Sequence, residues 1–386
     1  MRIGYICPNY YPDMPGGIEW YSLHITQELA KLGHEVHVFT QTTNKANKTC
    51  EEIKGVTVHR IKSYGFFYRV KFWPRLTKIL NKYKLDIIMS LDYAQTQSWQ
   101  ALRYCRQNNI PYSILLYDIQ SQKKPRALIK QIPLDIFDKL FAKYLFKHAT
   151  NIFIRTKAVL PWLKTQGVDF TKIHETPCGL TEEELQLGSP EDFYDNFKIK
   201  DNIILFLGRI RKQKGIFILL DAFKNIQTKF PNAKLIYIGP DDKDYDKLEF
   251  TSQLKEIINK EKIVNVHILG PLYGKDKNDA LAACDMLVLP SSYEAFGQVF
   301  LQAMAQGKPS IGTDAGGVPF VIDHDHNGYL IKPWDQNNLE YYLDKLLQNK
   351  NLRNKLGENG RLKAQNYYYP NLAKKLEGVL IKQINS

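Results

Sequence analysis

The sequence predicts an α/β protein built from two separate parallel sheets, each covered by helices. Three observations carry this. Short apolar runs alternate with stretches of helical spacing along the chain, as parallel strands and their crossover helices do. With 386 residues the chain is long for one core and comfortable for two of about 190 residues each. The texture also breaks once, at the acidic stretch Thr181–Lys200 with its Gly188-Ser189-Pro190 turn, which reads as a loop-like linker.

The elements follow in order. Arg2–Pro8 is a strand. Gly17–Gly33 carries Ile18, Tyr21, Leu23, Ile25, Leu29 and Leu32 at helical spacing, with Gly33 as its stop. Val36–Gln41 and Val56–Ile61 are strands, and a helix is expected from Pro74. Strand Asp86–Asp92, helix Gln95–Arg106, strand Tyr112–Asp118, helix Leu134–His148, strand Asn151–Arg155, helix Lys157–Thr165 and strand Ile173–Pro177 complete the first half. The second half opens with the strand Ile203–Gly208. Helix Ile216–Thr228, strand Leu235–Gly239, helix Leu254–Glu261, strand Val266–Gly270, helix Lys277–Cys284 and strand Met286–Pro290 follow. Helices Leu339–Leu347, Leu352–Asn366 and Leu372–Ile384 end the chain, the last of them a candidate to return to the first domain.

Composition narrows the class. The apolar and charged fractions, 44% and 24%, are those of an ordinary globular protein. Five scattered cysteines without a CxxC or Cys/His cluster suggest neither a disulfide framework nor a zinc site, and point to a reducing cytosol. The N-terminal apolar stretch is too short for a signal peptide, and no segment approaches a membrane span. A cytoplasmic protein, at most peripheral to a membrane, is expected. The net charge is +13 and is densest between Lys62 and Lys84, where no acidic residue occurs. There Arg69, Lys71 and Arg75 interleave with Phe66, Phe67, Tyr68, Phe72 and Trp73. Two readings stand: an anionic bilayer surface or lipid phosphate, and a solvated basic face with core aromatics. No nucleic-acid motif accompanies the charge, which argues against nucleic acid as a partner.

Four constellations can carry chemistry. Pro15-Gly16-Gly17-Ile18-Glu19 follows the first strand and opens a helix, where two glycines permit close backbone approach to a ligand. It is not a G-x-G-x-x-G fingerprint, which argues against a dehydrogenase. Gly208-Arg209-Ile210-Arg211-Lys212-Gln213-Lys214-Gly215 follows the first strand of the second half, and its Arg209 and Lys214 suit a diphosphate. Ser291-Ser292-Tyr293-Glu294-Ala295-Phe296-Gly297-Gln298-Val299 places a carboxylate and a helix N-terminus at the carboxyl end of a buried strand, where open α/β sheets bind ligands. Thr313-Asp314-Ala315-Gly316-Gly317-Val318-Pro319 is a further glycine turn, one βα unit later. Asp323-His324-Asp325-His326-Asn327-Gly328 has metal-like density, but ligands so close together in a polar turn rarely converge, and it reads as a solvated turn.

In this order and at this spacing, these motifs resemble a retaining family 4 glycosyltransferase of the GT-B fold, over nearly the whole chain. Gly33-His34-Glu35-Val36, Thr156-Lys157-Ala158-Val159 and Cys178-Gly179-Leu180 add to the resemblance. It implies two Rossmann-like domains facing each other across a cleft. Residues 1–185 would bind the acceptor, residues 186–368 the nucleotide-sugar donor, and residues 369–386 would form the C-terminal helix. It implies a nucleotide-sugar donor, for which a UDP- or GDP-linked hexose is expected, and neither metal nor cofactor; the basic aromatic segment Lys62–Lys84 points to a glycan or lipid-linked cell-envelope precursor as acceptor. Arg209 and Lys214 would neutralise the diphosphate, and Gly16, Gly17 and the N–H groups from Gly297 through Gln298 to Val299 would cradle it. Glu294, flanked by Ala295 and Phe296, would hold the donor sugar and stabilise positive character at the anomeric carbon. Gly239 and Pro240 would hold the base through backbone groups, and Asp118 would orient donor sugar or acceptor. Arg69, Lys71, Phe72, Trp73 and Arg75 would meet a membrane or the acceptor.

Three positions depart from the family pattern. Gln302 stands eight residues after Glu294, where the family carries a second Glu against the ribose. Phe320 replaces a Glu after Gly-Gly-x-Pro, and Tyr117 replaces a His before Asp118. Two other functions fit the same constellation: a nucleotide-sugar epimerase of the same fold, and a catalytically silent sugar-nucleotide-binding subunit.

Overall fold

The computed structural model describes residues 1–13, 16–42, 48–67, 70–117, 141–241 and 249–384. Asp118 and Arg69 lie outside the described residues. The chain divides into two compact units, Met1–Gly179 together with Tyr369–Ser386, and Leu180–Tyr368. The division falls after Gly179 rather than after residue 185. The stretch read as a linker is instead helical, over Glu182–Leu185 and Pro190–Phe197. Thr181 and Glu184 close a capping box, and Ser189 caps the second helix, with Pro190 at its start. The acidic and Ser-Pro residues that suggested a loop are therefore helix-start signals.

The first unit carries an eight-stranded sheet in the order β10-β9-β8-β7-β1-β2-β4-β3. Its strands are β1 (Arg2–Ile6), β2 (Glu35–Gln41), β3 (Cys50–Ile53), β4 (Val56–Ile61), β7 (Ile87–Leu91), β8 (Tyr112–Leu116), β9 (Asn151–Ile154) and β10 (Ile173–Glu175). All pairings are parallel except β3 with β4, joined by a two-residue turn in which Lys54 and Gly55 both have positive φ. β3 escapes the sequence reading because an edge strand of Cys-Glu-Glu-Ile has no apolar run. The parallel strands are buried on both faces, which is why they read as continuous apolar segments. Ile3, Tyr5, Val36, Val38 and Met89 pack on one face with helix Gly17–Lys31. Ile6, Phe39, Ile88 and Ile114 pack on the other with helix Thr96–Asn108.

The last helix, Tyr369–Ile384, belongs to this unit. Tyr369, Ala373, Leu376 and Leu380 join the core beside helix Gly17–Lys31. His34 Nε2 meets Glu377 Oε1 at 2.8 Å, and Gln383 Oε1 accepts from Ser113 Oγ at 3.0 Å and Asn151 Nδ2 at 2.6 Å.

A hairpin, β5 (Tyr64–Phe67) with β6 (Val70–Phe72), stands apart from the large sheet. It leads into Trp73, which is wholly buried with Leu76 and Leu80 of the helix Leu76–Leu80. Trp73 is thus a core residue, not a membrane or acceptor contact: the turn at Trp73-Pro74 carries it inward, and Gln100 Nε2 donates to its carbonyl at 3.1 Å. Phe72 is 44% exposed, Arg75 is exposed, and Lys71 Nζ donates to Gln41 Oε1 at 2.8 Å.

At the far edge, a polar chain crosses three strands. His37 Nε2 lies 2.8 Å from Glu35 Oε1, His37 Nδ1 lies 3.1 Å from His59 Nε2, and His59 Nδ1 lies 3.5 Å from Cys50 Sγ. Burial, reinforced by His37 and Lys82, lowers the pKa of His59 to about 4.

The second unit carries six parallel strands in the order β13-β12-β11-β14-β15-β16. They are β11 (Ile203–Leu207), β12 (Lys234–Ile238), β13 (Val266–Gly270), β14 (Met286–Val288), β15 (Ser310–Thr313) and β16 (Gly328–Ile331). The strand order runs outward from β11 in one direction through β12 and in the other through β14. The switch point of this Rossmann-like sheet is therefore the pair β11 and β14.

Candidate active site

Two loops leave the carboxyl ends of β11 and β14 and meet at this switch point. The first, after Gly208, tightens into a turn at Lys212–Lys214 and enters helix Ile216–Gln227 through Gly215. Gly215 has φ +76°, and a Cβ there would lie 2.2 Å from the carbonyl oxygen of Pro290. Only glycine lets the two loops cross this closely. Ser292 N donates to Gln213 O at 2.9 Å and fixes the crossing.

This crossing brings together two of the expected residues. Lys214 Nζ reaches Glu294 Oε1 at 2.5 Å, and Ser291 Oγ donates to the same oxygen at 2.7 Å. The two charged side chains are mostly enclosed, at 22% and 13% exposure. Lys214 thus stands against a carboxylate, and the ion pair holds both charged groups at the switch point. Arg209, exposed, leaves the same strand end one residue after Gly208.

Glu294 is held from behind by the second glycine turn. Gly317 N donates to Glu294 O at 2.8 Å, and Thr313 Oγ1 donates to Ser291 O at 2.6 Å. A Cβ on Gly316 would lie 2.1 Å from Glu294 O, and one on Gly317 would lie 2.3 Å from Ala295 O. The Gly316-Gly317 pair is thus a platform for the carboxylate loop. Phe296 is buried and meets Tyr367 with ring centroids 6.3 Å apart, so its ring anchors the loop in the core. Gly297, at φ +89°, starts helix Gln298–Ala305, and its carbonyl accepts from Phe300 N at 3.0 Å. This N-terminus lies three residues after Glu294 and offers a partial positive charge.

Gly239 and Pro240 are placed differently from expectation. Gly239 N donates to Gly270 O and Pro240 O accepts from Ile210 N, both at 2.9 Å. A Cβ on Gly239 would lie 1.9 Å from Gly208 O. Two of the backbone groups expected to hold a base therefore tie the loops after β11, β12 and β13 to one another. Gly16 and Gly17 belong to the first unit, where Gly16 precedes helix Gly17–Lys31 at the carboxyl end of β1.

Gln302 has partners that its position in sequence does not reveal. Its Nε2 donates to Glu184 Oε1 at 2.6 Å, and Lys277 Nζ reaches the same oxygen at 3.0 Å. Glu184 Oε2 accepts from Thr181 N at 3.1 Å. A carboxylate therefore lies beside position 302 although residue 302 is an amide. A Glu at 302 would set two carboxylates against each other, which explains the Gln on electrostatic grounds. Glu184, Lys277 and Ser291 were not foreseen as site residues. Thr181-x-x-Glu184 is nevertheless a legible capping-box pattern.

In the turn Asp323–Gly328 the polar side chains close the turn itself. Asp323 N donates to Asn327 Oδ1 at 3.0 Å, and His324 Nδ1 accepts from Leu330 N at 3.0 Å. Among the described residues, no group of three or more His, Cys, Asp or Glu side chains is placed to hold a metal ion. No described helix is long and apolar enough to cross a membrane.

Comparison with known proteins agrees with this geometry. Residues 15–184 match the family model "Glycosyltransferase Family 4", and residues 190–363 match "Glycosyl transferases group 1". An uncharacterised glycosyltransferase of Methanocaldococcus jannaschii is 28% identical over 92% of this chain and 92% of its own. The phosphatidyl-myo-inositol mannosyltransferase of Mycolicibacterium smegmatis is 24% identical over 92% of this chain and 86% of its own. Among solved structures, Anabaena HepE in complex with UDP superposes with a TM-score of 0.80 at 18% identity, covering 99% of this chain and 100% of that one. The two family models together span both units, and each unit has the parallel sheet that the fold requires. The chain belongs to the family 4 glycosyltransferases and is an enzyme of glycosyl transfer with the two Rossmann-like domains of the GT-B fold.

Proposed function

We propose that this glycosyltransferase moves a hexose from a UDP- or GDP-linked donor to a glycan or lipid-linked acceptor of the cell envelope, with retention and without a metal ion or cofactor. The observation that carries the donor half is the Lys214–Glu294 pair at the switch point of the second sheet, directly before a helix N-terminus. A diphosphate placed there meets Lys214, Arg209 and the N–H groups from Gly297 to Val299, three sources of positive potential. Glu294 faces the sugar. Its carboxylate accepts from sugar hydroxyls and favours the positive character that grows at the anomeric carbon as its bond to the phosphate oxygen breaks.

The acceptor hydroxyl oxygen then bonds to the same face of that carbon. Its proton passes to the departing phosphate oxygen, whose charge Arg209 and Lys214 stabilise. No protein base is required. Lys214 serves two partners in turn: Glu294, which it meets here, and the phosphate once the donor is bound. Gly16 and Gly17, at the helix start of the first unit, supply further N–H groups to phosphate, and Asp118 orients the donor sugar or the acceptor. HepE, as a UDP-binding relative in fold, supports a uridine donor, and the inositol-lipid mannosyltransferase supports a lipid acceptor. The basic hairpin adds Lys71 and Phe72, and the helix cap after it Arg75, as a contact to anionic lipid.

The test is a thermal-shift screen against UDP, GDP, ADP and their sugars. A donor at a hundredfold excess over its Kd adds about 2.7 kcal/mol of stability, and either UDP or GDP is expected to give that shift. Glu294→Ala is expected to retain nucleotide binding and lose transfer by at least about a hundredfold. Full transfer by this variant would overturn the assignment.

A further inference from the structure

At the edge of the second sheet, two strands out from β14, the carboxyl ends of β15 and β16 border a cavity of about 370 Å³. Asp314 follows β15 and Lys332 follows β16, and their side chains form an ion pair there. Asp314 N donates to Ile331 O at 2.7 Å and ties the two strand ends together. The cavity is completed by His324 from the turn Asp323–Gly328, and by Asn338 and Tyr342 from helix Gln336–Gln348. All of these residues lie within Leu180–Tyr368.

The chain passes from β16 into that helix through Lys332-Pro333-Trp334-Asp335, where Asp335 N donates to Lys332 O at 3.1 Å. Proline at the second place and φ +67° at Trp334 make this a type II turn, whose third residue is ordinarily glycine or asparagine. Among the described residues, the other non-glycine residues with positive φ are Asn, Asp or Lys. A left-handed tryptophan is strained, and strain of this kind clusters where a side chain is used. The strain gains no burial: Trp334 is 52% exposed, next in the chain to Asp335, which lines the cavity.

The lining mixes donors with acceptors. Leu330 N donates to His324 Nδ1 at 3.0 Å, so in the neutral ring Nε2 carries the proton. Asp335 accepts from Asn338 N at 3.0 Å on one oxygen and from Asn338 Nδ2 at 2.6 Å on the other, which leaves a lone pair on each. Tyr342 stacks on the buried ring of Tyr329, with centroids 4.2 Å apart, and is thereby fixed in orientation. Lys332 offsets only one of the two carboxylates, so the cavity disfavours an anion. A neutral ligand rich in hydroxyls fits it. Each hydroxyl both donates and accepts, and the C–H face of a pyranose packs on an aromatic ring.

We propose that this cavity, with Trp334 at its rim as the platform, is a second saccharide-binding site that holds a sugar unit of a glycan outside the donor site. It depends on the glycosyl transfer that defines the family, not on which nucleotide the donor site takes. Such a site keeps a glycan chain on the enzyme while its reacting end changes places.

The experiment titrates the full chain, in excess UDP and GDP, with maltohexaose, mannohexaose and chitohexaose. Binding is read by calorimetry and saturation-transfer NMR. At least one of these sugars is expected to bind saturably. Trp334→Gly is expected to weaken that binding by at least about tenfold, and Trp334→Phe, which keeps an aromatic face, to hold it within about threefold. Trp334→Gly also relaxes the turn, so its Tm is expected to stay level or rise by up to about 3 °C. Loss of binding without loss of stability is an outcome that a purely structural tryptophan does not give. The proposal is wrong if none of the sugars binds, if Trp334→Gly falls short of the tenfold loss, or if it melts below wild type. Sugar binding that appears only when the nucleotides are left out belongs to the donor site and also overturns it. So does binding to phosphatidylglycerol vesicles that is lost in Trp334→Gly, which makes the indole a membrane contact. Failure of UDP and GDP to bind overturns the donor reading alone.

Discussion

His59 is the residue whose charge the fold constrains most plainly. It is buried against His37, Cys50 and Tyr83, with Lys82 nearby, and its pKa falls to about 4. In the unfolded chain the imidazole takes up a proton near pH 6.5. Between pH 6.5 and about 4 the unfolded state therefore binds a proton that the folded state refuses, and stability falls with pH through that window. The loss is on the order of 2 kcal/mol, since one pKa unit is about 1.4 kcal/mol and desolvation is incomplete. Urea melts of wild type and His59→Asn at pH 7 and pH 4.5 check this: the variant is expected to show a clearly smaller drop between the two. Single residues also mark the limit of what the sequence discloses. Lys214 and Glu294 were each readable from their place after an apolar strand. Their pairing across 80 positions was not, and neither was that of Glu184 with Gln302 across 118. Those contacts exist only once the sheet order is set.

Among the elements, the parallel strands were the most legible, because burial on both faces leaves continuous apolar runs. The edge strand β3 and the hairpin β5–β6 were less so, since exposed strands carry charge and turn residues. The exposed side chains of the hairpin and of the turn after it bear on the proposed contact with anionic lipid. Lys71, Phe72 and Arg75 remain available to an anionic surface, whereas Trp73 is withdrawn into the core. Lys71→Glu/Arg75→Glu is expected to reduce co-sedimentation with phosphatidylglycerol vesicles by at least about tenfold, each basic group near such a surface being worth about 1 kcal/mol. Binding to neutral vesicles should be unchanged. Equal binding of wild type and variant to the anionic vesicles would remove the membrane from the proposal.

At the scale of the whole molecule, the two-sheet class followed from length and alternation, but the helical character of the junction did not. Capping residues look like linker residues in a single sequence, so helices Glu182–Leu185 and Pro190–Phe197 were read as a loop. The second unit, Leu180–Tyr368, is one unbroken stretch, whereas the first is assembled from both ends of the chain. The fragment 180–368 is accordingly expected to melt cooperatively on its own and to bind the same nucleotide as the full protein. The fragment 1–179 is expected to expose the apolar seam of helix Gly17–Lys31 and to bind a hydrophobic dye. Non-cooperative melting of 180–368 would contradict this.

The return of helix Tyr369–Ile384 to the first unit has a consequence for how the enzyme is made. A ribosome delivers all of Leu180–Tyr368 before it delivers the last sixteen-residue helix of the unit that Met1 began. The first unit must therefore wait, its seam uncovered, through the synthesis of an entire second unit. Chains cut before Tyr369 keep the whole of the second unit beside an incomplete first one. The first unit thus closes only when a helix made after the whole second unit reaches it.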